Sequence, residues 1–370
     1  MREQILNTIK DLIKIPSISG NEIEIAKILQ YCRDFFNGYS VNIREFKYQD
    51  ASPVMLISNQ EGDEFDILVV GHLDIVPASS SMFVPKTEEN NLYGRGSSDM
   101  KSQIAIALYT MQHVIDNKLP VKFGILITTD EETNSNGIKA LIKNENITPK
   151  IVMDYDAGDI GTIIEKYKHS IGIKVTAKGI DGHSSRPWDG INAIEKLIKA
   201  IGKIQQNFGQ YSKELPTPDD TWLDTMAVTA FNSPSTMKVI PDNAQALINF
   251  RLTDKMSLED LKDILNHACD DCNCTYEVMM ASCGCYMDAD DEVIKPYRKI
   301  AEEVIGKKIK ISHMNGATDA RMFADKAVII MHSPTGYNHH NAGEYVEIDT
   351  IFKFLDIQRQ FIASVAKTKK

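Results

Sequence analysis

The chain has 370 residues, of which 43% are apolar and 25% are charged, and it carries a formal net charge of -10. This length exceeds one ordinary core and predicts two domains, and the composition is that of a globular protein. The negative charge argues against a nucleic-acid or anionic-membrane partner, and no run approaches the roughly 18 apolar residues of a membrane span. Residues 1–20 lack the apolar core of a signal peptide, so we expect a cytoplasmic protein.

The first half of the chain alternates helical patterns with apolar strands. Helical spacing over residues 3–14 and 20–36 comes first. It is followed by the apolar runs FDILVVGHLD and VKFGILITTDEE, with a helical pattern between them, and then by KIVMDYDAGD. Strands that are apolar throughout are typical of a parallel sheet covered on both faces.

From about residue 171 the pattern changes to alternating strands. Their order with two helical stretches is strand-helix-strand-strand-helix-strand, which predicts a small α+β sandwich over residues 171–285. The last part of the chain returns to α/β character. We therefore predict an α/β/α domain with a mostly parallel central sheet, formed by residues 1–170 and 286–370, and a smaller inserted domain.

Polar side chains gather at the carboxyl ends of the predicted strands, where open α/β sheets bind their ligands. They are His72, Asp74, Glu131, Glu132, Asp154 and Asp156, to which GRGSSDMKS adds Asp99 and GYNHHNAGEYV adds His339 and His340. Imidazoles and carboxylates are the ligands of a zinc or mixed divalent-metal site. Converging carboxylates repel one another, and a pair of divalent cations removes that repulsion.

Five of the six cysteines lie between Cys269 and Cys285. Their spacing is compatible with a structural metal. In a reducing cytosol, free thiols at a helix end and on a strand are the favoured interpretation.

Seven stretches of the chain resemble, in order, the signatures of the M20 metallopeptidases. This family includes acetylornithine deacetylase, succinyl-diaminopimelate desuccinylase, carboxypeptidase G2 and peptidase T. The stretches are GHLDIVP, GRGSSDMKS, DEE, GIDGHSSRPWDGINAI, VIPDNAQALINFRL, NGATDARMF and HNAGEYV. The resemblance covers nearly the whole chain and implies a catalytic domain, an inserted lid or dimerisation domain, and a homodimer.

The resemblance also implies two divalent metal ions per chain, zinc in the first place, with Co²⁺ or Mn²⁺ as alternatives. His72 would bind one ion, and Asp74 would hydrogen-bond the far nitrogen of that ring. Asp99 would bridge the two ions and is expected to precede a cis peptide bond. Glu132 would be a further ligand, and Glu131 would be the general base that takes a proton from a metal-activated water.

Two ligand assignments leave alternatives. DAGDIG resembles the peptidase T branch and favours Asp156, with Asp154 as the alternative. The spacing to the Glu of GEYV favours His340, and a longer spacing found in the family would select His339.

In the inserted domain, the resemblance assigns His183 to the carbonyl oxygen of the substrate, supplied across a dimer. Arg251 would bind a substrate carboxylate, with a structural ion pair as the competing interpretation. Two positions depart from the family pattern: Lys238 stands where Asn is common, and Ser102 replaces Gly.

The predicted function is hydrolysis of an amide bond in a small peptide or N-acyl amino acid. Aminopeptidase, dipeptidase and deacylase activities are not separated by the sequence. One alternative is a catalytically inactive metal-binding or assembly module, which has no use for an unligated base such as Glu131. Another is a phosphatase-like hydrolase, for which the sequence shows no Gly-rich phosphate loop.

Overall fold

The computed structural model describes residues 1–215 and 221–368. The chain divides into two compact units. Unit 1 comprises Met1–Glu165, Met287–Met314 and Thr318–Lys370, and unit 2 comprises Lys166–Tyr286 and Asn315–Ala317.

Helices and strands alternate along most of the described chain. In chain order the helices are α1 (Arg2–Lys14), α2 (Glu22–Phe35), α3 (Lys101–Asp116), α4 (Asn136–Asn144), α5 (Ala193–Gln205), α6 (Leu258–Asp270), α7 (Ile294–Ile305) and α8 (Ile348–Lys367). In chain order the strands are β1 (Asn42–Phe46), β2 (Val54–Ser58), β3 (Glu64–His72), β4 (Lys86–Glu88), β5 (Asn91–Tyr93), β6 (Phe123–Thr128), β7 (Thr148–Asp154), β8 (Thr162–Tyr167), β9 (His169–Lys178), β10 (Gly182–His183), β11 (Thr225–Asn232), β12 (Val239–Ile240), β13 (Asn243–Leu252), β14 (Cys274–Ser282), β15 (Cys285–Tyr286), β16 (Lys310–Met314), β17 (Val328–Met331), β18 (Gly336–Tyr337) and β19 (Tyr345–Glu347).

Unit 1 is built on a mixed sheet with the strand order β1-β2-β6-β3-β7-β17-β8. The four central strands β6, β3, β7 and β17 run parallel to one another. Strands β1 and β2 at one side and β8 at the other pair antiparallel. The predicted α/β class is confirmed, and the sheet differs from a mostly parallel one by these antiparallel edges.

The central strands of unit 1 have no polar face because both of their faces are buried. In β3 every residue after Glu64 is buried, as expected for a strand covered on both sides. The main core cluster joins Val69 of β3 to Ile9 of α1, Ile104 of α3 and Phe361 of α8. Strand β3, packed on both faces, ends at His72.

A second, four-stranded sheet of unit 1 has the order β18-β19-β5-β4. Its strands are two or three residues long, too short for a periodic sequence pattern. Strands β18 and β19 pair antiparallel, and the loop between them carries the predicted ligands His339 and His340.

Unit 2 is an antiparallel sheet of order β11-β13-β9-β14 with α5 and α6 packed on it. Its core cluster joins Ile173 and Ile248 of the sheet to Leu197 of α5 and Leu265 of α6. The predicted order of strands and helices is confirmed, with the short pair β10 and β12 as an addition. None of the helices in the described part of the chain combines the length and apolar character that a membrane crossing needs.

Candidate metal centre

The candidate centre lies where the parallel strands of unit 1 end. Strand β3 ends at His72 and β7 ends at Asp154, and the segment after β6 carries Glu131 and Glu132. Parallel strands bring their carboxyl ends to one edge of the sheet, so side chains distant in sequence meet there.

Two groups of three side chains could each hold a metal ion, and they share Asp99. The first trio is His72, Asp99 and Asp156, and the second trio is Asp99, Glu132 and His340. Within each trio the ligand atoms lie within 4.8 Å of one another. The shared residue offers a different oxygen to each imidazole, because Asp99 Oδ1 is 3.1 Å from His72 Nε2 and Asp99 Oδ2 is 3.2 Å from His340 Nε2.

The remaining distances complete the two trios. His72 Nε2 is 3.7 Å from Asp156 Oδ2, and His340 Nε2 is 2.8 Å from Glu132 Oε2. The peptide bond between Asp99 and Met100 is cis, which confirms that expectation.

The donor set fits divalent cations. Imidazole nitrogens and carboxylate oxygens are the ligands that zinc and related metals take. Burial, together with the nearby Asp99 carboxylate, raises the pKa of Glu132 to about 7 and that of Asp156 to about 8. Carboxylates packed this closely are costly as anions, and bound cations would offset that cost.

The structure brings Asp156 and His340, rather than their alternatives, into the trios. Asp154 is buried and turned to other partners, because its Oδ1 accepts from the Asp156 N–H at 2.9 Å and its Oδ2 accepts from the Thr318 hydroxyl at 2.6 Å. His339 lies 3.9 Å from Asp99 and within hydrogen-bond distance of the Ser98 hydroxyl.

Asp74 contacts more than the ring that it was expected to orient. The acceptor nearest to His72 Nδ1 is the main-chain oxygen of Asp74 at 2.9 Å, and the carboxylate is 3.4 Å away. The carboxylate accepts from the backbone N–H groups of Glu131 and Glu132 at 3.2 and 3.1 Å and from the Ser19 hydroxyl at 2.7 Å. Asp74 therefore fixes the main chain at both glutamates.

Glu131 lies beside the centre without joining it. Among the described residues it belongs to neither trio. Its side chain lines a small cavity with His72, Asp156 and Asp319. Burial raises the pKa of Glu131 well above its ordinary value, and the carboxylates of Asp156 and Asp319 add to the effect while His72 opposes it. An unligated carboxyl of this kind suits a proton carrier.

His183 and Arg251 belong to unit 2 and to neither trio. The exposed His183 ring accepts hydrogen bonds at Nδ1 from the N–H and the hydroxyl of Ser185, at 3.2 and 2.8 Å. Arg251 lies on β13, and burial lowers the pKa of its guanidinium. Within residues 1–215 and 221–368, no carboxylate lies at ion-pair distance from Arg251.

The cysteines form no candidate metal group in the described part of the chain. Cys269 lies at the end of α6 and Cys274 at the start of β14.

A family model, Peptidase family M20/M25/M40, matches residues 68–364. The chain belongs to the M20 family. The resemblance seen in its seven stretches is thereby confirmed.

Named proteins resemble this chain over almost its whole length. Succinyl-diaminopimelate desuccinylase of Ehrlichia canis is 26% identical over 371 residues, which cover 95% of this chain and 96% of that protein. Aminopeptidase PepT of Bacillus cereus superposes with a TM-score of 0.76 at 19% identity, and a dinuclear metal-binding M20 peptidase of Bacillus subtilis with 0.73 at 12%; each match covers 99% of both chains. The two structural matches show a shared fold. As a member of the M20 family, the protein is a metal-dependent peptidase or amidohydrolase.

Sequence reasoning missed the residues that hold the loops carrying the candidate ligands. Glu344 served only as a spacing marker, yet its carboxylate accepts the backbone N–H of Asp99 at 3.1 Å. Thr318, which donates to Asp154, lies in the family-like stretch NGATDARMF. The only sequence signal for such a role is an acid or a hydroxyl inside a signature stretch. The sequence does not show its partner, which is up to 249 residues away.

Proposed function

We propose that the protein is a two-zinc hydrolase that cleaves an amide bond in a small peptide or an N-acyl amino acid. The observation that carries the proposal is the sharing of Asp99 by two ligand trios, with Glu131 beside them and in neither. A site built only to hold metal needs no additional buried carboxyl next to its ligands.

Each residue has a role in this proposal. Residues His72, Asp99, Glu132, Asp156 and His340 hold the ions, which when bound would acidify a water molecule and polarise the scissile carbonyl. Glu131 takes a proton from the attacking water and delivers it to the leaving nitrogen. Asp74 keeps the Glu131 backbone in place throughout.

In unit 2, the hydrogen bonds of His183 support its proposed contact with the substrate carbonyl. Because Nδ1 accepts from the Ser185 N–H, the ring proton of neutral His183 is on Nε2, where it can be donated. Arg251 would bind a substrate carboxylate, since a guanidinium offers two parallel N–H donors. Lys238 adds a positive charge to the same unit and favours an anionic substrate.

The substrate class rests on the relatives. The desuccinylase of Ehrlichia canis and the aminopeptidase of Bacillus cereus act, by their names, on an N-succinyl amino acid and on peptides. Their common chemistry is amide hydrolysis next to an amino-acid unit. We therefore propose that this enzyme takes substrates of one of these two kinds.

A homodimer is also proposed, formed through unit 2. Strand β14 is an edge strand of the unit 2 sheet, and its residues Val278, Met279 and Met280 are each about half exposed. Exposed apolar groups along a free strand edge favour pairing with another chain. Light scattering coupled to size exclusion gives the mass in solution, and a monomer at all concentrations would contradict the dimer.

A reducing compartment such as the cytoplasm fits the buried thiols of Cys32, Cys269, Cys272 and Cys274, which form no disulfide.

The function is tested by metal content and turnover on one preparation. Protein purified without chelator is analysed for metals and assayed on dipeptides, tripeptides, N-acetyl amino acids and N-succinyl-diaminopimelate. We expect about two zinc ions per chain, with turnover of a panel member that chelation and Glu131→Ala both abolish. Full activity of Glu131→Ala would refute the proposed base, and failure to bind any divalent metal would refute the centre.

A further inference from the structure

Glu344 is a buried carboxylate with an unusual number of main-chain partners. Its side chain is inaccessible to solvent. Oε1 accepts from the N–H groups of Ser98 and Asp99 at 2.9 and 3.1 Å, and Oε2 accepts from the N–H of Gly96 at 3.0 Å. The guanidinium of Arg95, itself buried, completes the set at 2.5 Å from Oε2.

These contacts join two loops that are far apart in sequence. One is the segment 94–100, which presents Asp99. The other is the loop between β18 and β19, which carries His340 four residues before Glu344. Arg95 adds a second link, because its NH2 group donates to the main-chain oxygen of Asn341 at 3.4 Å.

We propose that Glu344, together with Arg95, is a positioning residue for both metal ions. This inference rests on the proposed function, in which Asp99 is the shared ligand. The Glu344 carboxylate holds the backbone N–H of Asp99 itself, so it fixes the point from which the shared side chain extends. Because Asp99 belongs to both trios, loss of this support weakens the binding of both ions. Loss of the Glu132 carboxylate weakens the binding of one ion only.

The physical reason is that a neutral side chain cannot replace the carboxylate. Charge-assisted hydrogen bonds from N–H groups and from a guanidinium are stronger than neutral ones. A glutamine at position 344 keeps one oxygen, and its NH₂ group must face either backbone N–H donors or Arg95. At least one of the four donors then loses its acceptor, and the segment 96–99 gains alternative conformations. Outer residues that orient metal ligands typically contribute about 10–100-fold to metal affinity.

The test is a Co²⁺ titration of the metal-free full-length protein. Visible ligand-field absorption reports ligand geometry, and chelator competition gives the affinities. For Glu344→Gln we expect the affinity for both ions to fall by about 10-fold or more, with altered absorption bands. Glu132→Gln is expected to weaken the binding of one ion and to leave the absorption of the other ion unchanged.

Asp66→Asn is the matched control. Asp66 is also a buried acid that accepts a backbone N–H, from Lys122 at 2.8 Å, and it pairs with Lys150 at 3.3 Å. It lies at the start of β3, at the opposite end from His72. A purely structural role for buried acids would make Asp66→Asn and Glu344→Gln alike in melting temperature and in Co²⁺ binding. We expect them to differ in Co²⁺ binding and in its spectrum.

The outcomes separate this inference from the proposed function. Wild-type protein that binds no Co²⁺ would overturn the metal centre and this role with it. Wild-type protein that binds two ions, beside Glu344→Gln with the same affinities and spectrum, would overturn the role of Glu344 alone. If Glu344→Gln fails to fold, Arg95→Met/Glu344→Gln removes the unbalanced buried charge. This double variant is expected to bind Co²⁺ weakly, and wild-type affinity in it would refute the inference.

Discussion

Replacing Asp154 by asparagine should stabilise the metal-free protein at neutral pH. The Asp154 carboxyl is buried, accepts hydrogen bonds from the Asp156 N–H and the Thr318 hydroxyl, and has its pKa raised by burial to about 6. In Asp154→Asn the amide oxygen can accept from the Asp156 N–H, and the amide NH₂ can donate to the Thr318 hydroxyl after rotation of the latter. Both contacts persist, and the buried charge is lost.

The magnitude follows from the pKa of Asp154. The ordinary value of 3.8 applies to the unfolded chain, and the value in the folded protein is about 6. Between these values the folded state holds the proton and the unfolded state does not. The free energy of unfolding therefore falls by about 1.4 kcal/mol per unit of rising pH. The window of about 2 units gives a cost of about 3 kcal/mol, which is constant above the folded pKa.

Because asparagine does not ionise, Asp154→Asn should gain up to about 3 kcal/mol at about pH 8 and almost nothing at about pH 4. Both tryptophans, Trp188 and Trp222, lie in unit 2, so their fluorescence does not report on β7. Amide hydrogen exchange of β7 and β3, in the presence of chelator, measures the unfolding free energy at the relevant place.

Equal gains at both pH values, or a loss at the higher one, would refute the assignment of a buried charge at Asp154. A parallel zinc titration separates Asp154 from Asp156. We expect Asp154→Asn to bind two ions and Asp156→Asn to bind one tightly, since Asp156 belongs to the first trio. Loss of an ion from Asp154→Asn would show that Asp154 is itself a ligand.

Three further predictions concern the base and a buried network. Glu131→Gln should lower kcat about 10²–10⁴-fold with zinc content unchanged by mass spectrometry, and loss of zinc would contradict its unligated role. Tyr297→Phe should destabilise the protein by about 2–4 kcal/mol in thermal or urea unfolding. The Tyr297 hydroxyl lies 2.8 Å from both His332 Nδ1 and Gln358 Nε2, and both atoms would lose a buried hydrogen-bond partner. A loss of less than about 1 kcal/mol would argue against a structural role for these hydrogen bonds. Burial lowers the pKa of His332 to about 4, so its ring should stay neutral in NMR spectra at about pH 5. The free energy of unfolding should then fall by about 1.4 kcal/mol per pH unit as the pH falls from 6.5 to about 4, because only the unfolded chain takes up the proton in that range. A ring that titrates near pH 6.5 would contradict this prediction.

The sequence predicted the central strands of the fold and missed its edges, for a physical reason. Strands β3, β6 and β7 are buried on both faces, so selection for an apolar interior leaves a continuous run that is visible in the sequence. Strand β1 is an edge strand whose residues are all half-buried, with Arg44 and Glu45 in its middle. The strands of the small sheet have three residues or fewer, and pairing rather than composition defines them.

The members of the two candidate trios could be named from the sequence, whereas the residues that support them could not. The resemblance pointed to His72, Asp99 and Glu132 because each of them lies in a stretch that is similar to a family signature. The choice between adjacent candidates needed coordinates, since Asp154 and Asp156 lie within one short segment and differ only in the direction of the side chain. The contact of Glu344 with Asp99 spans 245 residues, and no local pattern reports it.

The carboxylates around the centre divide into two sets by the direction in which they face. Asp99, Glu132 and Asp156 face one another, and their mutual repulsion is what a pair of cations offsets. Asp74, Asp154 and Glu344 face the main chain, where N–H groups of the residues that carry the first set satisfy them. These hydrogen bonds fix the backbone at the residues that carry the first set. Less conformational freedom is then lost on metal binding, and affinity should depend on the second set even though none of its members belongs to a ligand trio.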